Sequence, residues 1–195
     1  MILVITPEKA VRNEAEMINR MFDEGLDLLH IRKPFFNRKE VADLIDCINP
    51  SFYSQLVLHT HYDLGKDYPV SRLHFREADR QKEMYKPFLD GNTIISTSVH
   101  DITTYNMLKG EWAYAFISPF FSSISKKGYG KDSTVMQEVG MRKNRDVKMI
   151  ALGGINADTI PSVLDAGVDG VALLGAVWEN DQPLEAFKIC KKTIF

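Results

Sequence analysis

Residues 148–176 read KMIALGGINADTIPSVLDAGVDGVALLGA. Two short apolar runs, 148–152 and 168–174, bracket a stretch in which Val163, Leu164 and Ala166 belong to one helix, closed by Gly167. Thr159 is placed to cap that helix, and Pro161 then falls in its first turn, where a missing N–H costs little. Runs this short, rich in Ile, Val and Leu, have the character of buried parallel strands. Strand, glycine pair, helix, glycine and strand make one βαβ unit.

The same rhythm runs through the rest of the chain. Apolar runs recur at 2–5, 26–31, 55–58, 72–75, 93–96 and 113–117, so that with the first pair there are eight. Helical stripes lie between many of them. Val11, Ala15, Ile18 and Phe22 mark 11–24 before Gly25; Val41, Leu44, Ile45 and Ile48 mark 38–48 before Pro50. Tyr105 and Leu108 stripe 102–109, and Leu184, Phe187 and Ile189 make a C-terminal helix. Between Thr60 and Ser71 there is room for a short helix only, at 64–68. Eight strands with interleaved helices define the α/β class and a (β/α)8 TIM barrel, built economically, since such barrels usually take about 250 residues. The rival is a doubly wound open sheet. Against it, Thr6-Pro7-Glu8-Lys9 after the first run cannot cradle a dinucleotide as a Gly-x-Gly-x-x-Gly turn does. No linker or low-complexity segment divides the 195 residues, which read as a single domain, 1–195.

Composition narrows the function. Lys plus Arg is 24 and Asp plus Glu is 26, a net charge of −2. That excludes a broad basic surface for nucleic acid but not a local basic pocket. No apolar run is long enough to span a membrane, and the opening MILVITP has the form of a first strand, not a signal peptide. Cys47 and Cys190 form no metal-ligand pattern and fit reduced thiols in a cytoplasmic protein.

A barrel carries its chemistry at the C-terminal ends of its strands. All five histidines, His30, His59, His61, His74 and His100, fall at or just beyond the ends of runs two to five. Any one of them could be a structural histidine bonded to a neighbour; their grouping points to at least two lining a site. Gly153 and Gly154 follow the seventh run and Gly175 the eighth, where barrels often hold a phosphate on backbone N–H groups. Simple turn geometry would use the same glycines. After the sixth run, Ser122-Ser123-Ile124-Ser125-Lys126-Lys127-Gly128-Tyr129-Gly130 combines hydroxyls, two ammonium groups and glycines, the makings of an anion-gripping loop. Arg32 and Lys33 would face it across the mouth. Glu77 and Asp79 follow the fourth run and offer carboxylates for a divalent cation, whereas Asp63 and Asp101 sit where acids start helices. Met17, Met21, Trp112 and Trp178 read as packing.

Three stretches then carry a family resemblance: Ser98-Val99-His100, Ile117 to Lys126, and Ala151 to Ala176. Together they resemble the thiamine-phosphate synthase and thiazole tautomerase superfamily of (β/α)8 barrels, over nearly the whole chain. The resemblance implies a transferase that condenses hydroxymethylpyrimidine diphosphate with thiazole phosphate and releases diphosphate. It implies small phosphorylated heterocycles as ligands and Mg2+ as cofactor, and it leaves a homo-oligomer open. By position, His30 and Arg32 take the place of a family Gln and Arg on strand 2, with Lys33 one place early for the family Lys. His59 and Thr60 replace an Asn-Asp pair whose Asp helps hold magnesium; the second metal carboxylate falls on Asp79. Ser98 matches the family serine after strand 5, and Ser123, Ser125 and Lys126 match its diphosphate loop. Gly153, Gly154 and Gly175 match the glycines under the thiazole phosphate. Arg32, Lys33, Ser98 and Lys126 would then act in catalysis, and His30, His59, Ser123, Ser125 and the three glycines in binding. The tautomerase histidine after strand 6 is Pro119 here, which argues against that activity.

Two other classes share parts of this pattern. A non-catalytic phosphate-ligand binder needs the glycines and cations but no converging metal ligands. A sugar-phosphate epimerase needs acids at strand ends as proton donor and acceptor, and strands 2 and 7 here offer none.

Overall fold

The computed structural model describes residues 1–89, 91–122, 130 and 133–194. Eight parallel strands close on themselves in sequence order. They are β1 (Ile2–Ile5), β2 (Leu28–Ile31), β3 (Leu56–Leu58), β4 (Arg72–Phe75), β5 (Ile94–Val99), β6 (Trp112–Ile117), β7 (Lys148–Leu152) and β8 (Gly170–Leu173). Closure comes from β1 and β8, where Ile2, Leu3 and Val4 lie opposite Val171, Ala172 and Leu173. The eight-run reading therefore holds, and the open-sheet alternative does not.

Strand alternation divides the core in two. Outward residues such as Val4, Leu29, Leu58, Ala115, Met149 and Val171 pack beneath the helices. Inward residues Leu3, Ile5, Leu28, Val57, Tyr114, Phe116, Ile150 and Ala172 fill the barrel. A register shift between Ile95 and Ser96 sets Ser96 opposite Tyr114 and leaves Ala113 exposed between Trp112 and Tyr114.

The helices are short, and that is how 195 residues complete the barrel. They are α1 (Glu14–Asp23), α2 (Arg38–Asp46), α3 (Glu77–Gln81), α4 (Ile102–Asn106), α5 (Val135–Glu138), α6 (Ile160–Asp165), α7 (Gly175–Trp178) and α8 (Pro183–Lys192). Helix α1 ends where Gly25 takes φ +86 and the amides of Gly25 and Leu26 turn back to the carbonyls of Phe22 and Met21. Helix α2 starts with a capping box between Asn37 and Glu40. The short element expected at 64–68 is a 3-10 turn over Tyr62–Lys66. Around β4 and β5, a ring cluster of Tyr62, Phe75, Tyr85, Phe88 and Trp112 helps to cover the sheet, with Tyr85 and Trp112 centroids 4.6 Å apart.

Two local expectations need correction. Thr159 precedes α6 but its side chain does not cap it; Asn156 Oδ1 accepts from the amides of Asp158 and Thr159 instead, at 3.0 Å each. Pro161 does lie in the first turn. In α8, Ile189 is exposed, and Cys190 joins Leu184 and Phe187 on the buried face. Trp112 is buried, and the Trp178 indole donates to the Ile5 carbonyl, so both serve packing as expected. No helix among the described residues is long and apolar enough to cross a membrane.

Candidate functional site

Three of the five histidines converge inside the mouth of the barrel. His30 and His74 are buried on β2 and β4, and His59, one residue past β3, is half-buried. His30 Nδ1 lies 2.8 Å from His59 Nε2. On its other side, His30 Nε2 lies 2.8 Å from the Tyr114 hydroxyl. His74 Nδ1 is 2.9 Å from Ser96 Oγ, and its Nε2 is 2.8 Å from Ser98 Oγ. The His59 and His74 rings stack with centroids 4.3 Å apart.

Burial holds all three imidazoles neutral. It is the largest cause of the downward shift of each, and His74 falls to about 3. Neighbouring arginines add to it: Arg32 acts on both His59 and His74, and Arg76 acts on His59.

The remaining histidines are structural. His61 Nε2 meets the Phe36 carbonyl at 3.0 Å, and His100 Nδ1 meets the Ser118 carbonyl at 2.8 Å.

The cations differ from expectation in their partners. Arg32 bonds Glu8 at 2.6 Å and keeps about a third of its side chain exposed. Its backbone is pinned to Thr6, whose hydroxyl accepts from the Arg32 amide at 2.9 Å. Lys33 does not face the mouth. Its ammonium is fully buried, 2.6 Å from one oxygen of Glu14 and 2.8 Å from the other, with the Lys9 carbonyl at 3.1 Å. Burial pushes the Lys33 ammonium down and the Glu14 carboxyl up, and the pairing opposes both. Lys33 thus anchors the start of α1, a correction to its assignment as a catalytic charge.

Asp79 also has a partner the sequence did not announce. Both its oxygens accept from Arg76, at 2.8 Å from Nε and 3.0 Å from Nη2. These bonds are the largest cause of its lowered carboxyl pKa. Magnesium requires oxygen ligands in octahedral array. Here Asp79 is held by a guanidinium, Thr60 stands where the resemblance places a carboxylate, and Glu77 Oε1 is bonded to Arg80 at 2.9 Å. The three nearby imidazoles are poor magnesium ligands. The donor set does not fit Mg2+.

The glycines after β7 are needed for chain contact. Gly153 and Gly154 have φ +100 and +69. A Cβ on Gly154 would meet Phe121 Cβ and Ser122 O, each at 2.6 Å. The segment after β6 lies directly on this turn: the amides of Phe120 and Phe121 donate to the carbonyls of Leu152 and Gly153 at 3.0 Å. Among the described residues, no protein acceptor is paired with the amides of Gly154, Gly175 or Ala176. Ser123, Ser125 and Lys126 lie outside the described residues.

The thiamine monophosphate synthase family model matches residues 2–177. The chain belongs to the thiamine monophosphate synthase family. Within the family, it is 28% identical to the thiamine-phosphate synthase of Bacteroides fragilis ATCC 25285 over 147 residues, 68% of each chain. It is 23% identical to that of Desulfitobacterium hafniense Y51, covering 88% of this chain and 84% of the relative. Among solved structures, thiamine phosphate pyrophosphorylase from Bacteroides thetaiotaomicron superposes with TM-score 0.80 at 25% identity, covering 99% of this chain and 96% of that one. Against that family background, Tyr114 and Arg76 are the site residues sequence reasoning missed. Tyr114 was detectable from alternation on β6, where Tyr114 and Phe116 point inward and Ala115 and Ile117 outward.

Proposed function

We propose that this chain is a thiamine-phosphate synthase, joining hydroxymethylpyrimidine diphosphate to thiazole phosphate with release of diphosphate in the cytoplasm. Family membership supports the reaction class. The observation that supports the site assignment is that Arg32 and Arg76 immediately follow β2 and β4, the two strands that flank β3 and the half-buried His59.

The substrate carbon–oxygen bond breaks, and its electron pair leaves with the diphosphate. The thiazole nitrogen lone pair then forms the new carbon–nitrogen bond. Arg32 and Arg76 meet the negative charge that grows on the leaving oxygens, and only the part that strengthens in the transition state raises the rate. Ser98 adds a hydroxyl beside His74. The resemblance assigns Ser123, Ser125 and Lys126 to the same diphosphate. The amides of Gly154, Gly175 and Ala176, which have no protein acceptor among the described residues, suit the thiazole phosphate, because backbone N–H groups bind anions without a long side chain to order.

The test is direct. Purified protein is incubated with both substrates, and thiamine phosphate is followed by chromatography. Formation of product supports the synthase; phosphate binding without product would make the protein a non-catalytic binder.

A further inference from the structure

We propose that His30, His59 and His74 form a site for a borderline transition-metal dication, of which zinc is the model, opening on the barrel mouth. One nitrogen from each ring lies within 4.8 Å of the other two. Three imidazoles with an open position suit zinc and its neighbours, whereas magnesium and calcium prefer oxygen. This inference rests on the ring geometry and goes beyond the assignment of the synthase reaction.

The hydrogen bonds already orient two of the rings for this task. A neutral imidazole carries one N–H, and a metal ligand must keep its lone pair inward and its N–H outward. Ser96 Oγ lies 3.2 Å from the Leu73 carbonyl, to which it can only donate. Its lone pair is then free to receive the His74 Nδ1–H, which leaves the His74 Nε2 lone pair to accept from the Ser98 hydroxyl at 2.8 Å, a bond that a metal would replace. His30 Nε2 likewise has an oxygen partner in Tyr114, so its Nδ1 can turn a lone pair toward the centre. Outer-shell partners of this kind fix tautomer and ring direction in histidine metal sites.

Capture needs a small rearrangement. Zinc–nitrogen bonds of about 2.0–2.1 Å set ligand nitrogens roughly 3.3–3.4 Å apart in a tetrahedron. His30 and His59 must open from 2.8 Å, and His59 must tilt out of its stack with His74. His59 is the member free to do so, being half-buried and beyond the end of β3.

The experiment uses metal-free full-length protein carrying Cys47→Ser, which removes the exposed thiol. Zinc chloride is titrated by calorimetry, and cobalt substitution is followed by its visible d–d absorption. One equivalent bound and a tetrahedral cobalt spectrum are expected. His59→Gln and His74→Gln should each weaken binding by about tenfold or more, while His100→Gln leaves it unchanged. Circular dichroism establishes that each variant is folded, and His59→Gln, at the half-exposed position, is the decisive one. Absence of stoichiometric binding in the folded parent overturns the proposal. So does binding that survives in a folded His59→Gln protein, or binding that depends on His100.

Discussion

His30 on β2 and Tyr114 on β6 are joined across the barrel interior by a 2.8 Å hydrogen bond between Nε2 and the phenol oxygen. Barrel interiors are filled mainly by branched apolar side chains. Here His30, His74, Ser96 and Tyr114 form a polar column through that core, and each group in it is satisfied by another. Burial pushes the Tyr114 phenol pKa up, so the phenol stays neutral in this column.

Tyr114→Phe should therefore destabilise the protein by about 1–3 kcal/mol, the cost of leaving a buried polar group unmatched. Urea unfolding followed by circular dichroism measures it. The same variant should weaken zinc binding, because His30 loses the partner that orients it. A variant as stable as its parent would mean that water replaces the hydroxyl.

Lys33→Met should cost about 3–5 kcal/mol, because it strands Glu14 as a buried carboxylate. The double variant Lys33→Met with Glu14→Leu should recover most of that loss. Calorimetric titration with inorganic diphosphate should show little change in affinity for the folded double variant. A large loss of diphosphate affinity there would return Lys33 to the binding site.

The backbone architecture was legible because its signal is local. Every apolar run became a strand, and the differences have physical causes. Run 93–96 extends to Val99 because Thr97 and Ser98 are polar residues that the barrel buries or half-buries. Helices α3, α5 and α7 went unseen because five, four and four residues are too few to show a period. The charge partners were not legible for a different reason. Glu14 lies 19 residues from Lys33, and Glu8 lies 24 from Arg32, and each pair meets only when the barrel closes. The grouping of histidines at strand ends was readable, but which three would converge depends on inward alternation and on where each strand stops.

Gly154→Ala and Gly167→Ala should separate backbone strain from crowding. Both positions have positive φ, +69 and +95. Nothing lies within 4 Å of a Cβ on Gly167, so its variant should lose about 1 kcal/mol from the left-handed backbone alone. The Gly154 variant meets Phe121 and Ser122 at 2.6 Å as well, and should lose more. Thermal unfolding ranks the two. Equal losses would show that the segment after β6 moves aside freely.

Arg76 gives the sharpest test of how the site handles diphosphate. Its guanidinium is fixed by both oxygens of Asp79, yet its side chain remains 69% exposed. A planar fork held in this way presents its remaining N–H groups to a ligand with little further loss of freedom. Diphosphate should therefore bind without added magnesium, and calorimetry with inorganic diphosphate should detect it. Arg76→Ala should reduce that affinity by roughly tenfold or more, since hydrogen bonds to charged groups contribute about 1.5–3 kcal/mol. Arg76→Lys should restore only part, because an ammonium cannot engage Asp79 and a phosphate oxygen with the same fixed geometry. Asp79→Asn weakens the tether while keeping the shape, and should lower affinity less than Arg76→Ala does. Binding that appears only on adding magnesium, and is then lost in Asp79→Asn, would show instead that the carboxylate leaves Arg76 for the metal.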